Sequence, residues 1–295
     1  MTLYKTMIRP TSNFASFLQG DTLFGQICWL IRYKWGENKL VTLLEDYEKS
    51  PFLIISDGFT SGYLPKPSLP TAILGEDLDK KKENRKKVWL TVKDLQDGNF
   101  ANTKSDTDID KISLTQAVVK NAINYKSFTT KNGFDPYSET ETSLVNQDIY
   151  ALLDDTKFSL KELNEIFKLL GEGGYGKNST IGKGRFEHTS FESIMFPKQE
   201  STTFMMLSNV LFQNLQAKNI YYTPITKFGK HGGDLATHSP FKKPLLMARS
   251  GSVVVFDNTK NIQYIGKSIS GHSTHKETIH QGYSITLPIK EIDNE

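Results

Sequence analysis

The chain reads as an α+β sandwich, with helices laid on one face of its sheets. Three observations predict this. Short apolar runs of strand length recur along the whole sequence. Helical periodicity appears only a few times between them, which favours α+β over an alternating βαβ fold. The 295 residues are enough for two units of ordinary size, although no internal repeat marks a duplication.

Leu3 to Arg9 is a first strand. Asp21 is expected to cap a helix in which Leu23, Phe24, Ile27, Cys28 and Ile31 share one face, with Gly36 as its stop. Leu40, Leu43, Leu44 and Tyr47 mark a second helical piece. Phe52 to Ser56 and Val88 to Val92 are strands, and Leu64-Pro65-Lys66-Pro67 is an extended breaker between them. Residues 97–150 are polar with little periodicity, and a span that long implies an insertion, lid or binding arm. Ser159-Leu160-Lys161-Glu162 is a capping box opening a helix with Leu163, Ile166, Phe167 and Leu170 at helical spacing. Gly171 stands where that helix is expected to stop. Strands follow at Phe186 to Phe191, near 203–208, 219–227, 245–248 and 252–256, and finally at Tyr283 to Ile289.

Composition narrows the class. Hydrophobic residues make up 37% and charged residues 23%, as in a soluble globular chain. No apolar run reaches membrane-spanning length, and the N-terminus lacks the apolar core of a signal peptide. A single cysteine, Cys28, excludes an internal disulfide and fits a reducing cytoplasm; its place on an apolar helical face makes it a packing residue. The net charge is only +3, but the cations are bunched. Lys80 to Lys87 is one basic run, readable as a solvated loop or as a second phosphate contact. The other surrounds the most unusual stretch of the sequence.

That stretch, residues 169–186, reads LLGEGGYGKNSTIGKGRF. Gly171, Gly173, Gly174, Gly176, Gly182 and Gly184 alternate with Lys177, Lys183 and Arg185. It contains the dinucleotide fingerprint G-x-G-x-x-G and most of a P-loop, with Asn178 where Ser or Thr belongs. Both motifs need a strand before the loop and a helix after it, so that phosphate sits on a helix N-terminus. Here the predicted order is helix, loop, strand, which argues against a mononucleotide site. Glycine lets a ligand approach main-chain N–H groups, Lys and Arg supply charge, and Ser179 and Thr180 supply hydroxyls. An extended polyanion uses all three.

Several stretches, in order, resemble a known family: Gly20-Asp21-Thr22-Leu23-Phe24-Gly25 after the first strand, Ser56-Asp57-Gly58-Phe59 leading into Leu64-Pro65-Lys66-Pro67, the loop from Gly174 to Phe186, and the closing Gln281-Gly282-Tyr283 to Ile289. This set resembles the fourth Csm subunit of type III-A CRISPR effector complexes, a RAMP protein of the Cas-five-like group, from about Leu3 to Ile289. The resemblance implies two ferredoxin-like (RRM-type) domains, 1–152 and 153–295. The first would carry a thumb-like arm at about 97–150, and the second the glycine-rich loop 171–186. It implies a subunit that grips the repeat-derived 5′ handle of CRISPR RNA, docks the large Cas-ten-type subunit and the backbone RAMP subunit, and meets target RNA only indirectly. The RNA-binding residues so implied are Asp21, Thr22 and Phe24; Lys120, Asn121, Asn124 and Tyr125 of the arm; and Gly174, Tyr175, Gly176, Lys177, Asn178, Ser179, Thr180, Gly182, Lys183, Gly184, Arg185 and Phe186. The family's His-Asn-x-Ile-x-Arg-like arm stretch reads Lys120-Asn121-Ala122-Ile123-Asn124-Tyr125 here, with Lys120 for the His and Tyr125 for the Arg.

Catalysis finds little support. Metal-free RNA cleavage commonly uses a histidine, and none precedes His188; the others are His231, His238, His272, His275 and His280. The alternative function is therefore a RAMP endoribonuclease that processes precursor CRISPR RNA, with His188 or a later histidine as base. His272-x-x-His275 has metal-ligand spacing, but no Cys or tight carboxylate cluster accompanies it, and it reads as a polar loop. Lys227-x-x-Lys230-His231-Gly232-Gly233-Asp234 is either a surface turn or an RNA or partner contact. No nucleophile elbow appears. The expectation is a non-catalytic, cytoplasmic RNA-binding scaffold with no metal, cofactor or membrane contact.

Overall fold

The computed structural model describes residues 1–130, 133, 135–237, 240–275 and 277–292. In order, its elements are β1 (Thr2–Pro10), α1 (Gly20–Trp35), α2 (Glu37–Leu44), β2 (Leu53–Ile55), β3 (Phe59–Thr60), β4 (Leu64–Pro65), α3 (Thr71–Leu74), α4 (Lys81–Lys86), β5 (Trp89–Leu90), α5 (Val92–Asp97), β6 (Leu114–Lys120), β7 (Tyr137–Ser143) and β8 (Gln147–Leu153). There follow α6 (Leu160–Gly173), β9 (Phe186–His188), β10 (Glu192–Ser193), β11 (Ser201–Met206), β12 (Asn219–Tyr221), β13 (Pro224–Lys227), β14 (Leu245–Ala248), β15 (Val253–Lys260), β16 (Tyr264–Gly266) and β17 (Tyr283–Pro288). No helix among the described residues is long and apolar enough to cross a membrane.

The first sheet is antiparallel and runs β10-β1-β8-β2, with β9 also on β1 and β3 on β8. β1 pairs with β8 from Thr2↔Leu153 to Ile8↔Gln147, and its other edge takes β9 at Ile8↔His188 and β10 at Tyr4↔Ser193. α1 and α6 lie side by side, α1 over β2 and α6 against β9. The chain order is β1-α1-β2, then β8-α6-β9. The division expected at 152/153 therefore falls inside β8. α6 and the glycine loop belong with the first sheet, because β8 and β9 both pair with β1. The polar hairpin β6–β7, set between β2 and β8, hides that continuity in the sequence. The arm itself is shorter than 97–150, since Gln147 to Tyr150 already belong to the sheet.

The second sheet, β12-β15-β11-β17-β16, is also antiparallel. Two-residue alternation sorts its side chains. Met205, Leu207, Val253, Val255, Ile285 and Leu287 join the core of the first sheet; Phe204, Met206, Val254 and Phe256 form a smaller cluster on the far face. Among the described residues no α-helix follows Gly173, so the second half lacks the helices of the expected second ferredoxin-like domain.

Local chemistry explains most boundaries. Ser159 accepts from Glu162 N–H, and the Glu162 carboxylate accepts from Ser159 N–H, the predicted capping box. A second box, Thr91 with Asp94, opens α5 and shortens the expected 88–92 strand to Trp89–Leu90. Asp21 is not a cap: α1 begins at Gly20 after an extended Gln19, and Asp21 sits buried in its first turn. The expected strand at 219–227 divides into β12 and β13, which belong to different sheets. The basic run 80–87 is largely the exposed helix α4.

One side chain joins the two sheets directly. Gln281 is fully buried; its Oε1 accepts from Ile55 N–H at 3.0 Å and its Nε2 donates to Ile55 C=O at 2.8 Å. The amide completes the free edge of β2 as a neighbouring strand would. Gln281→Ala should lower stability by about 2–4 kcal/mol, because buried backbone groups lose their partners. Urea unfolding reads this, and a midpoint equal to wild type would show that the bridge contributes nothing.

Candidate nucleic-acid interface

The predicted order of helix, glycine loop and strand is what the structure contains. α6 ends at Gly173, a 3₁₀ turn covers Ser179–Ile181, and β9 follows at Phe186. Two glycines make the loop's crossing possible. Gly174 (φ +88°) and Gly184 (φ +72°) would carry Cβ atoms 2.3 Å from Lys183 O and 2.1 Å from Tyr175 O. Tyr175 is fully buried; its N–H donates to Gly184 O, its hydroxyl donates to Phe17 O at 2.8 Å, and the same oxygen accepts from Gln19 N–H at 3.0 Å.

The main-chain N–H groups are largely committed, contrary to the expectation of bare amides awaiting phosphate. Those of Gly174, Tyr175, Ile181, Gly182, Lys183 and Gly184 donate to backbone carbonyls. Gly176 N–H donates to Gln26 Oε1, Lys177 N–H to Ser16 Oγ, and Arg185 N–H to Ser12 Oγ. Gly171, Gly174, Gly176 and Gly184 therefore serve close packing, and ligand chemistry is left to the side chains.

Those side chains meet the arm. Lys177 Nζ lies 2.6 Å from Glu139 Oε1, and Lys120 Nζ lies 2.6 Å from Glu139 Oε2. Asn178 Nδ2 donates to Glu139 Oε2 at 2.7 Å. Lys183 pairs with buried Glu141, which also lies 3.4 Å from Lys120 Nζ. Hydrogen bonds from Lys120, Lys177 and Asn178 hold the Glu139 carboxyl at about 2, and Lys183 leads those lowering Glu141. The sequence reading missed both carboxylates. Their signal was the alternation Glu139-Thr140-Glu141, which places both on one face of a strand. Arg185 is exposed and forms no ion pair among the described residues.

The arm is the hairpin β6–β7, paired from Leu114↔Ser143 to Lys120↔Tyr137. Phe14 and Thr142 exchange backbone hydrogen bonds at its base. At its far end Tyr125 is 78% exposed and Phe128 83%. Asn121 is exposed, while Asn124 bonds locally: its N–H donates to Thr129 O, and its side chain accepts from Lys126 N–H. Ser179 is half-buried and Thr180 exposed beside Gly182. Phe186 is buried against Phe167.

The residues picked from the start of α1 lie inside the protein. Phe24 is buried between Tyr47 and Phe52. Asp21 is buried, with Lys227 Nζ 2.6 Å from Oδ1 and His280 Nε2 3.3 Å from Oδ2. Burial opposes its charge, but the His280 ring and the Lys227 ammonium outweigh it and hold the carboxyl well below its usual range. Lys227 also donates to Gln19 Oε1 and Thr22 Oγ1. Nearby, burial pushes the Asp57 carboxyl up to about 7, although Gly20 N–H donates to it. Cys28 packs at the edge of the core, and burial raises its thiol to about 12.

The histidines separate into packed pairs. His272 faces His280 with ring centroids 5.6 Å apart, and His231 faces His275 at 5.0 Å, so the two residues of the predicted metal-spaced motif turn to different partners. No group of three or more potential ligands is placed to hold a metal among the described residues. His188 packs against Phe167 and Phe191, with Nδ1 2.6 Å from Thr189 O. His238 lies outside the described residues.

The first half is thus an antiparallel sheet with two helices packed against it and a glycine-rich loop leading into β9 at its edge. The chain belongs to the RAMP superfamily, whose model matches residues 6–187, from β1 to β9. Among solved structures it is similar to a chain of the Csm3–Csm4 subcomplex of the type III-A CRISPR-Cas interference complex, at 18% identity and TM-score 0.62, covering 98% of this chain and 100% of that one. It is also similar to a chain of the Csm1–Csm4 cassette in complex with pppApA, at 18% identity and TM-score 0.59, covering 99% and 100%. At this identity the likeness is one of fold. No curated protein sequence matches the chain.

His272 gives a pH prediction. Burial, then the charges of Lys242, His280 and His231, push its imidazole down to about 4, and neither ring nitrogen has a hydrogen-bond partner among the described residues. Between the ordinary histidine value, about 6.5, and 4 the unfolded chain binds the proton more readily than the folded one. Stability from this residue is therefore lost as pH falls through that window. Wild type should lose stability relative to His272→Leu between those pH values in denaturant titrations. A constant difference would show that His272 is not held neutral by burial.

Proposed function

We propose that the chain is a non-catalytic RNA-binding subunit of a type III-A (Csm) CRISPR interference complex, gripping the 5′ repeat-derived handle of the CRISPR RNA. The observation that carries this reading is the meeting of the glycine loop and the arm: Lys120, Lys177 and Lys183 gather on Glu139 and Glu141, with exposed Arg185 two residues further along the loop, and the hairpin ends in exposed aromatic rings. Phosphates would engage Arg185 first and compete with Glu139 for Lys177, whose side chain is 58% exposed. Splayed bases would stack on Tyr125 and Phe128. Membership of the RAMP superfamily supports the reading, as does the fold likeness to chains of the Csm1–Csm4 and Csm3–Csm4 complexes.

The order β1-α1-β2-β8-α6-β9 is that of a ferredoxin-like domain, with β6–β7 as its thumb. Partners of the same kinds, a large Cas-ten-type subunit and a backbone RAMP subunit, complete the proposal, and target RNA is met only indirectly. The subunit acts in the cytoplasm, in antiviral defence. It does no chemistry: His188, the histidine nearest the loop in sequence, is committed to a backbone carbonyl and two aromatic rings.

Replacing Lys177, Lys183 and Arg185 together by Ala should weaken binding to a handle-sequence RNA. It should also flatten the plot of log affinity against log salt by about 2, because each neutralised phosphate of a single strand accounts for about 0.7 of that slope. An unchanged slope would remove the loop from the site. Tyr125→Ala should reduce affinity by about 1–3 kcal/mol without changing that slope; a variant that binds like wild type would show that Tyr125 does not touch the RNA. Incubation with labelled precursor RNA in chelator should leave the RNA intact. Specific cleavage that is abolished in His188→Ala would establish the endoribonuclease instead.

A further inference from the structure

The second half carries a basic, aromatic hairpin that the handle-binding reading does not use. Residues 222–249 contain Lys227, Lys230, Lys242, Lys243 and Arg249, with Asp234 as their only carboxylate. Asp234 is itself taken by Arg32 at 3.3 Å. Of these cations Lys227 is spent on Asp21, and burial first of all lowers the Lys242 ammonium's hold on its proton. Lys230, Lys243 and Arg249 are exposed and form no ion pair among the described residues. Phe228 and Phe241 stand out into solvent, 73% and 65% exposed, and Lys230 Nζ lies 4.7 Å above the Phe241 ring.

We infer that this β13–β14 hairpin is a second contact for single-stranded RNA, extending the track that begins at the glycine loop. The inference rests on the RNA-binding reading of that loop. Gln19 connects the two elements: its N–H donates to the Tyr175 hydroxyl, and its Oε1 accepts from Lys227 Nζ at 2.6 Å, so β13 ends beside the loop's own anchor. Unneutralised cations attract phosphates, and single exposed rings flanked by cations offer stacking platforms that accept any base. An acidic protein face would also bury both rings, but cations unpaired among the described residues, on an element tied to the glycine loop, favour a polyanion, and so RNA.

The test uses the full chain with two oligouridines, of about eight and about twenty nucleotides, so that only the longer can span both surfaces. Lys230→Ala, Lys243→Ala and Arg249→Ala combined should lower affinity for the long RNA about tenfold and its salt slope by about 2, leaving the short RNA unaffected. Phe228→Ala with Phe241→Ala should weaken the long RNA and leave its slope intact. Wild-type chain photocrosslinked to the long RNA bearing 4-thiouridine should yield adducts at Phe228 or Phe241, which keeps the test decisive if a variant misfolds. Equal binding of the long RNA by the hairpin variant and wild type, while the Lys177/Lys183/Arg185 variant is weakened, would overturn this inference and leave the handle reading standing. A hairpin variant that keeps RNA affinity but loses association with the large subunit would assign the face to protein. Wild-type chain that binds neither RNA would overturn both.

Discussion

β1 is paired along both edges, and the placement of the candidate site depends on that double pairing. With β8 on one side and β9 on the other, the chain leaving α6 must return beside the end of β1. The loop is therefore drawn across residues 11–19, where Thr11 N–H donates to Arg185 O and Gly184 N–H donates to Asn13 O. Tyr175 fills the space beneath, hydrogen-bonded to Phe17 and Gln19. A glycine-rich sequence suggests slack, but here the glycines permit crossings that a Cβ would block. The result is a braced platform on which Lys177 and Arg185 are exposed and Lys183 is turned onto buried Glu141.

The same bracing organises the electrostatics. Lys120, Lys177 and Lys183 are held by Glu139 and Glu141, so the loop and the arm share one network. Three ammonium groups on two carboxylates leave a local excess of positive charge. Arg185, outside the network, adds to it. A bidentate guanidinium is the group best shaped for a phosphate, and Arg185 is the loop cation without an ion pair among the described residues.

Elements with strong local signals were legible in the sequence. The Ser159 capping box, the apolar stripe of α6, β1, β14 and β17 all lie close to where periodicity and turn residues place them. The loop's order between helix and strand was legible too, and it disposed of both nucleotide motifs. Long-range pairing was hidden. Nothing local tells β8 that its partner is β1 across nearly the whole first half, so the expected division at 152/153 cuts the end of that strand. Asp21 looked like a cap because an acidic residue at a helix start usually is one; its burial against Lys227 depends on a strand about two hundred residues away in sequence. Tyr175 could not be told from a surface aromatic without knowing which face is covered, whereas the burial of Phe24 was legible in the apolar stripe of α1 and conflicts with the RNA contact the resemblance implied. Glu139 and Glu141 were visible as an alternating pair, yet their partners come from another element.

The two sheets share the main apolar interior, with Val253, Tyr283 and Leu287 packed into the same cluster as Ile54, Leu152 and Phe158. The protein is consequently one cooperative body: parted from the first sheet, the second would keep only the small cluster on its far face. Cleavage of the short link between β10 and β11 would not release a free-standing fragment, because each piece would present an oily face to water. Heating should melt both sheets in one calorimetric transition, and excised halves would aggregate unless co-expressed.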